Sequence, residues 1–208
     1  MTVKYIDEMP KIPKEFCANR RIPQRIACRR DLMFDHIPNE CSVVVEIGSQ
    51  WGWWAYRAAR NLKSSKIYCV DQWSDDDRSQ KEWCGGSANF YEWALNLDKY
   101  IGKRVFGYIG KSADVAVEFD KDIDFLFIDG DHNYESVLED CRLWIPKVRN
   151  GGVVVGHDWA GRWKHNVRRA VKEYFKDIDG AHVIVFPGYA LRSRNGSVEK
   201  CWMMKKDW

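Results

Sequence analysis

The chain is short of several features that would decide its class at once. In its 208 residues no apolar run approaches the roughly 20 residues that span a bilayer, and the first 16 positions, MTVKYIDEMPKIPKEF, carry charges and prolines where a secretory signal needs an apolar stretch. These absences point to a cytoplasmic protein without a membrane role. Seven cysteines, an odd number, are scattered with no CxxC pair, which excludes a disulfide framework or a zinc ribbon and fits reduced thiols. Charge is nearly balanced, 33 Lys and Arg against 30 Asp and Glu, and no aromatic-basic stripe is visible along the chain, so nucleic acid is not an expected partner. There is no internal repeat and no low-complexity segment. The G-x-G-x-x-G fingerprint of pyrophosphate-binding turns is also missing.

What is present is organised around VVVEIGSQWG, Val43 to Gly52. Three consecutive valines mark a strand buried on both faces. Gly48 and Gly52 bracket a tight turn, and Ala55, Ala58, Ala59 and Leu62 then recur at helical spacing. Glu46 stands just before the turn. A loop that cradles pyrophosphate on a helix N-terminus avoids a carboxylate there, because like charges repel. Glu46 suits a ligand with a positive end, such as the ammonium and sulfonium of S-adenosylmethionine.

The remaining chain alternates strand and helix. KIYCV, from Lys66, ends in Asp71, which lies 23 residues after Gly48, near the distance at which an acid grips ribose hydroxyls in such folds. The polar stretch from Trp73 to Gly86 reads as a loop beside the crevice. A helix carries Phe90, Trp93, Ala94 and Leu97. Val105 to Ile109 is a third strand, followed by Gly110-Lys111-Ser112 and a short helix. IDFLFI, Ile123 to Ile128, is a fourth and ends in Asp129-Gly130-Asp131-His132. A helix follows from about Tyr134 to Trp144. Asn150-Gly151-Gly152 turns into a fifth strand, Val153 to Val155, ending in Gly156-His157-Asp158-Trp159. After a helix from about Asn166 to Phe175, two apolar runs, His182 to Phe186 and Cys201 to Met204, suit an antiparallel edge. The expected fold is α/β: a doubly wound, Rossmann-like, mostly parallel sheet of about seven strands, the last antiparallel, with helices on both faces. Residues 1–40 form an arm, irregular to Phe16 with a short helix from Pro23 to His36, and 41–208 the domain.

VVVEIGSQWG, VDQW, FIDGDH and GGVVVGHDW, in this order, resemble a class I S-adenosylmethionine-dependent methyltransferase, within it the macrocin-type and catechol-type small-molecule O-methyltransferases. The resemblance covers about Cys41 to Phe186. It departs at Gln50, where many members carry a middle glycine, and at His157, where relatives usually present a carboxylate or amide. It implies that Glu46, Gly48, Ser49 and Gly52 surround the methionine part of the cofactor and that Asp71 takes the ribose hydroxyls. Gln72 or Trp73 would cover the adenine, and Gly110 and Ser112 would hold its edge. It implies a divalent metal, Mg²⁺ or, given the histidine, Mn²⁺, on Asp129, His157 and Asp158. It further implies that the metal fixes a hydroxyl pair of a small acceptor, a sugar or a phenol, with Asp129 and His132 catalytic. His132 is the general base, its imidazole titrating near neutrality. The competing reading of His132 is a helix cap shared with Asn133. The competing functions are a nicotinamide-dependent oxidoreductase on a similar sheet, against which Glu46 argues, and a cofactor-binding protein without catalysis or one that modifies a nucleic acid or glycan. Trp51, Trp53, Trp54, Trp73 and Trp159 fall near strand ends and can wall a pocket. Core packing is the better reading for Trp54 and Trp144, which fall on helices. Nothing in the chain specifies its oligomeric state.

Overall fold

A computed structural model of the chain describes residues 2–13, 32–38, 40–74, 86–160, 164–187 and 200–207. Eight strands form one sheet: β1 (Lys4–Ile6), β2 (Val43–Ile47), β3 (Lys66–Asp71), β4 (Val105–Ile109), β5 (Ile123–Ile128), β6 (Val148–Gly156), β7 (Ile184–Pro187) and β8 (Lys200–Lys205). Among the described residues, five α-helices accompany them: α1 (Trp53–Asn61), α2 (Gly86–Leu97), α3 (Ser112–Glu118), α4 (Tyr134–Trp144) and α5 (Lys164–Phe175). The spatial order is β1-β4-β3-β2-β5-β6-β8-β7. Strands β4, β3, β2, β5 and β6 run parallel. The chain leaves β2 to one side and returns at β5 on the other, so the strand order reverses there. In open α/β sheets ligands bind at that switch, outside the carboxyl ends of the strands.

The alternation along β2 explains why both faces are covered. Val45 and Ile47 point into a core with Leu126, Ile128, Val137, Trp144 and Val171, built with α3, α4 and α5. Val44 points the other way, onto Trp54, Ala55, Trp93, Leu97, Phe125 and Phe127. The expected core roles of Trp54 and Trp144 hold, since both are buried. Asp124 ties the lower end of the central strands. Its carboxylate accepts the backbone N–H groups of Ser42 and Val43 at 2.8 and 2.7 Å and pairs with Arg149.

Three details differ from the sequence reading. Lys4–Ile6 of the arm is a strand, antiparallel on β4, because Ile6 can bury itself against the edge beside Gly107. The Asn150-Gly151-Gly152 turn lies inside β6 as a register shift against β5, with Gly151 at φ 77°. A Cβ on Gly152 would come within 2.6 Å of Val148, so the bulge requires glycine. Finally, the two C-terminal strands do not simply append: β8 inserts antiparallel between β6 and β7, which makes β7 the edge. Of the predicted N-terminal helix, Leu32–His36 forms a single 3₁₀ turn, while residues 14–31 and the loop at 75–85 lie outside the described residues.

The turn after β2 passes so close to the end of β5 that a Cβ on Gly48 would lie 2.2 Å from the carbonyl oxygen of Asp129, at a φ of 84°. Gly48→Ala is therefore expected to cost about 3 kcal/mol or more of stability, through clash and left-handed strain together. A urea titration against the parent checks this.

Candidate active site at the strand ends

The turn from β2 into α1 is held by backbone bonds to its neighbours. Gly48 donates its N–H to the Val70 carbonyl at 2.8 Å, and Gly52 donates to the Ser49 carbonyl at 2.7 Å. Gln50, at the place of the family's middle glycine, adopts φ 46° and so takes up the left-handed conformation that a glycine would favour. Asp71 fixes this loop from β3. One carboxylate oxygen accepts from Gln50 N at 2.8 Å and the other from Trp73 N at 2.9 Å. Trp73 is buried against Phe90 and Trp93, with its indole N–H donating to the Gln50 carbonyl at 2.7 Å. Its ring thus belongs to the core under the loop, whereas Gln72 beside it is half-buried.

Glu46 is buried beneath the turn and receives the Ser49 hydroxyl at 2.5 Å. Burial pushes its carboxyl up to about 8; the Ser49 bond and the Arg57 charge act against this, and nearby Asp129 acts with it. Cys69 lies directly across on β3 and also bonds Glu46, its own thiol raised by burial. Sequence reasoning passed over Cys69 and Arg57. The buried arginine at helical spacing behind a buried glutamate was the available signal.

Gly110 and Ser112 lie together after β4, with Gly110 N donating to the Asp71 carbonyl at 3.0 Å. The Ser112 hydroxyl is engaged inward. It donates to Asp140 at 2.6 Å and accepts from the Trp144 indole at 2.7 Å. Asp140 was also overlooked, although an acid among Val137, Leu138, Cys141 and Trp144 on a helix's apolar side is conspicuous. Burial pushes its carboxyl up to about 7, the Ser112 bond opposing.

At the ends of β5 and β6 four side chains converge. His132 Nε2 lies 2.5 Å from Asp158 Oδ2 and 3.7 Å from Asp129 Oδ1. His157 Nδ1 lies 3.4 Å from the same Asp129 oxygen and 3.3 Å from the same Asp158 oxygen. The backbone sets this up: His157 N donates to the Ile128 carbonyl at 3.0 Å, so β6 delivers His157 and Asp158 opposite Asp129. Asp158 sits at φ 53°, a left-handed conformation of the kind that persists where surrounding structure holds it. The N-cap of α4 is Asn133, and its own N–H, at 3.2 Å, and the Ser136 hydroxyl, at 2.9 Å, are accepted by Asp131. His132 is thereby left to the cluster. A cavity of about 10 Å³, room for one water or ion, adjoins Asp129, Asp131, His132 and His157, with Trp202 as an apolar wall. Gly156 is glycine because a Cβ there would lie 2.2 Å from that indole.

Electrostatics in the cluster are mutual. Although burial opposes it, hydrogen bonds and charge from Asp129 and Asp158 raise His132 to about 9. The histidines in turn hold both carboxyls low against their own burial. Among the described residues, Asp129, His132 and Asp158 offer ligand atoms within 4.8 Å of one another. The residues present thus fit a divalent cation by type and spacing, with His132 in this set and His157 immediately beside it.

The open α/β sheet thus carries a turn over a buried carboxylate at the end of β2 and an N/O cluster at the adjoining ends of β5 and β6. Residues 45–159 match the sequence family described as "Methyltransferase domain". The chain belongs to that family and carries a methyltransferase domain. It is 44% identical over 57 residues to an uncharacterised protein of Acanthamoeba polyphaga mimivirus, covering 27% of this chain and 26% of that one. It is 26% identical over 121 residues to an uncharacterised protein of Sinorhizobium fredii, covering 55% of this chain and 13% of that one. The chain thus spans 26% and 13% of these relatives' lengths.

Three solved structures share the fold. The cofactor-bound Rv0187 from MTB has a TM-score of 0.64 at 16% identity over 97% of this chain and 85% of that one. An rRNA methylase from Streptococcus thermophilus has 0.60 at 14% over 87% and 99%. An O-methyltransferase from Bacillus cereus, in complex with SAH, has 0.58 at 14% over 92% and 85%.

Glu46 supplies a direct test of this electrostatic picture. With a folded value near 8 against an ordinary 4.5, the folded state keeps a proton that the unfolded state releases. Stability from this group is complete below about pH 4.5 and is lost as pH rises to about 8. Glu46→Gln in the ligand-free protein should gain on the parent across that window, by at least about 1 kcal/mol at its upper end. Denaturation at stepped pH measures the gap.

Proposed function

We propose that the protein O-methylates a small hydroxylated acceptor, a sugar or a phenol, with a divalent metal assisting and His132 as general base. The observation that carries this reading is the convergence of Asp129, His132, His157 and Asp158 one strand away from the Glu46–Gly48 turn. Glu46 fits a cofactor with a cationic end. A buried carboxyl that now keeps its proton would ionise and pair with an ammonium placed over the turn. Gly48, where no Cβ fits, keeps this turn against the backbone of Asp129 and so next to the cluster. Ser49 and Gly52 complete that side, Asp71 would take ribose hydroxyls, and Gln72, Gly110 and Ser112 would face the adenine. Since the Ser112 hydroxyl is engaged with Asp140 and Trp144, its share of that contact would come from its backbone.

When bound, S-adenosylmethionine supplies an activated methyl and the divalent ion a Lewis acid that lowers the acceptor hydroxyl's pKa. Asp129 and Asp158 would hold the ion with an imidazole, His157 on the sequence reading. In the metal-free protein His132 is raised to about 9 by those same carboxylates and cannot accept a proton at neutral pH. Once their charge is taken up by a cation, its imidazole becomes neutral and can take the hydroxyl proton on Nε2 as the oxygen receives the methyl group. The aspartates and the strand ends do the positioning on which the transfer depends. Activity is thus tied to metal loading through the protonation of one histidine. Domain limits at 1–40 and 41–208 and a cytoplasmic location belong to the same reading.

Calorimetry with Mn²⁺ and with S-adenosylhomocysteine separates the two sites. Asp129→Ala and Asp158→Ala should each abolish metal binding while S-adenosylhomocysteine, the demethylated cofactor, still binds. On a genuine acceptor His132→Ala should lower turnover by about 10² to 10⁴-fold. Full activity in chelator would remove the metal from this mechanism.

A further inference from the structure

The strand ends are not the whole of the candidate surface, because α5 carries a row of cations that the proposed chemistry leaves unused. His165, Arg168, Arg169, Lys172 and Lys176 recur at helical spacing and, with Glu173, line one open face of the helix. All but Arg168 and Glu173 are exposed. The acids in this region are partly answered: Glu173 pairs with Lys176 at 2.8 Å and also lies in the field of Arg142 and Arg169, while Asp177 lies 3.9 Å from Lys176. Exposed pairs of this kind are worth little and exchange partners readily.

The row also begins at the site. Helix α5 follows β6, whose end delivers His157 and Asp158, so its first turns stand at the rim of the crevice. Arg168 donates to the Trp159 carbonyl at 2.5 Å, with its guanidinium 5.5 Å from that indole. Arg169 lies 4.1 Å from the ring centre of Tyr134, at the start of α4. Trp159 and Tyr134 follow Asp158 and His132 by one and two residues. Chain segments far apart in sequence thus assemble aromatic rings and stacked guanidinium planes at the rim, with further cations leading away. From His165 to Lys176 the helix rises roughly 16 Å, too far for one phosphate to engage. A small phosphorylated acceptor would use the two arginines and leave Lys172 and Lys176 idle.

We propose that the cationic face of α5 binds the phosphates of a single-stranded nucleic acid, so that the hydroxyl methylated at the strand ends is carried on that polymer. Cationic surfaces with aromatic rings and guanidinium groups at one end bind single strands in this way. The inference rests on the methyl-transfer reading of the strand ends and replaces its free small acceptor with a polymer-borne one.

The test is fluorescence anisotropy of the full chain with a labelled single-stranded RNA of about 12 nucleotides, run beside calorimetry with S-adenosylhomocysteine. Binding is expected and should weaken tenfold or more in the double variant Lys172→Glu, Lys176→Glu. The slope of log affinity against log salt should also fall, by about 0.7 for each lost phosphate contact. Both substituted side chains are exposed, and an unchanged unfolding midpoint establishes that the variant is folded. Three results would overturn the inference: no RNA binding by a protein that binds S-adenosylhomocysteine, equal affinity in the variant, or equally tight binding of polyglutamate with the same dependence on the two lysines. Failure to bind S-adenosylhomocysteine would instead sink the underlying methyl-transfer reading.

Discussion

The close approach of Gly48 to the backbone of Asp129 governs the geometry of this protein. A turn at the end of β2 and a turn at the end of β5 lie in van der Waals contact, with room for a hydrogen and no more at Gly48. Asp129 N donates to the Ile47 carbonyl at 2.9 Å, which locks the two strand ends at one height. On the proposed reading, one turn faces the cofactor and the other begins the catalytic cluster. Their separation is then set by backbone, which does not drift as long side chains do. Donor and acceptor sites built this way meet the narrow geometric tolerance of a group transfer.

Charge follows from the same proximity. Glu46 and Asp129 each act on the other side of the Gly48 turn, and each would be costly if buried alone and ionised. The protein resolves the two differently. Glu46 keeps its proton and a serine bond, whereas Asp129 and Asp158 stay ionised and surround themselves with imidazoles. A resting site thus carries its own countercharges: a proton on the glutamate and another on His132. Both are of the kind that an incoming cation displaces, and two cations, one organic and one metallic, are what the proposed chemistry brings.

Much of this was legible in the chain because β-strand ends are easy to find and chemistry collects there. Ile123–Ile128 and Tyr134–Trp144 were bounded correctly by apolar periodicity, and Asp129, His132, His157 and Asp158 follow from their places just beyond two strands predicted to be neighbours. Less visible was anything decided by side-chain partners. Nothing in Ser112 announces that its hydroxyl is tied to Asp140 and Trp144, and the sequence reading put Trp73 over the adenine or in the pocket wall, whereas its ring is buried in the core. The strand at Lys4–Ile6 was missed because three residues beside prolines carry almost no periodic signal; only the edge of β4 makes them a strand. His132 was read as a general base apart from the metal set, and its place beside Asp129 and Asp158, with the protonation state that follows, depends on distances that no sequence pattern gives.

The helix after β6 shows the same limit in another form. Its basic residues fall at i, i+3, i+4 and i+7, a spacing that ordinarily marks a solvated face. What distinguishes this face is where it begins. Helix packing places Arg169 on Tyr134 and Arg168 over Trp159, so two of its cations are stacked on rings contributed by the turns that carry His132 and Asp158. A guanidinium stacked on a ring has less conformational freedom to lose on binding a phosphate than a free surface lysine has. The cations nearest the chemistry are therefore the preorganised ones, and those further along the helix are flexible. That gradient suits a surface which fixes one end of a long anion and lets the remainder adjust.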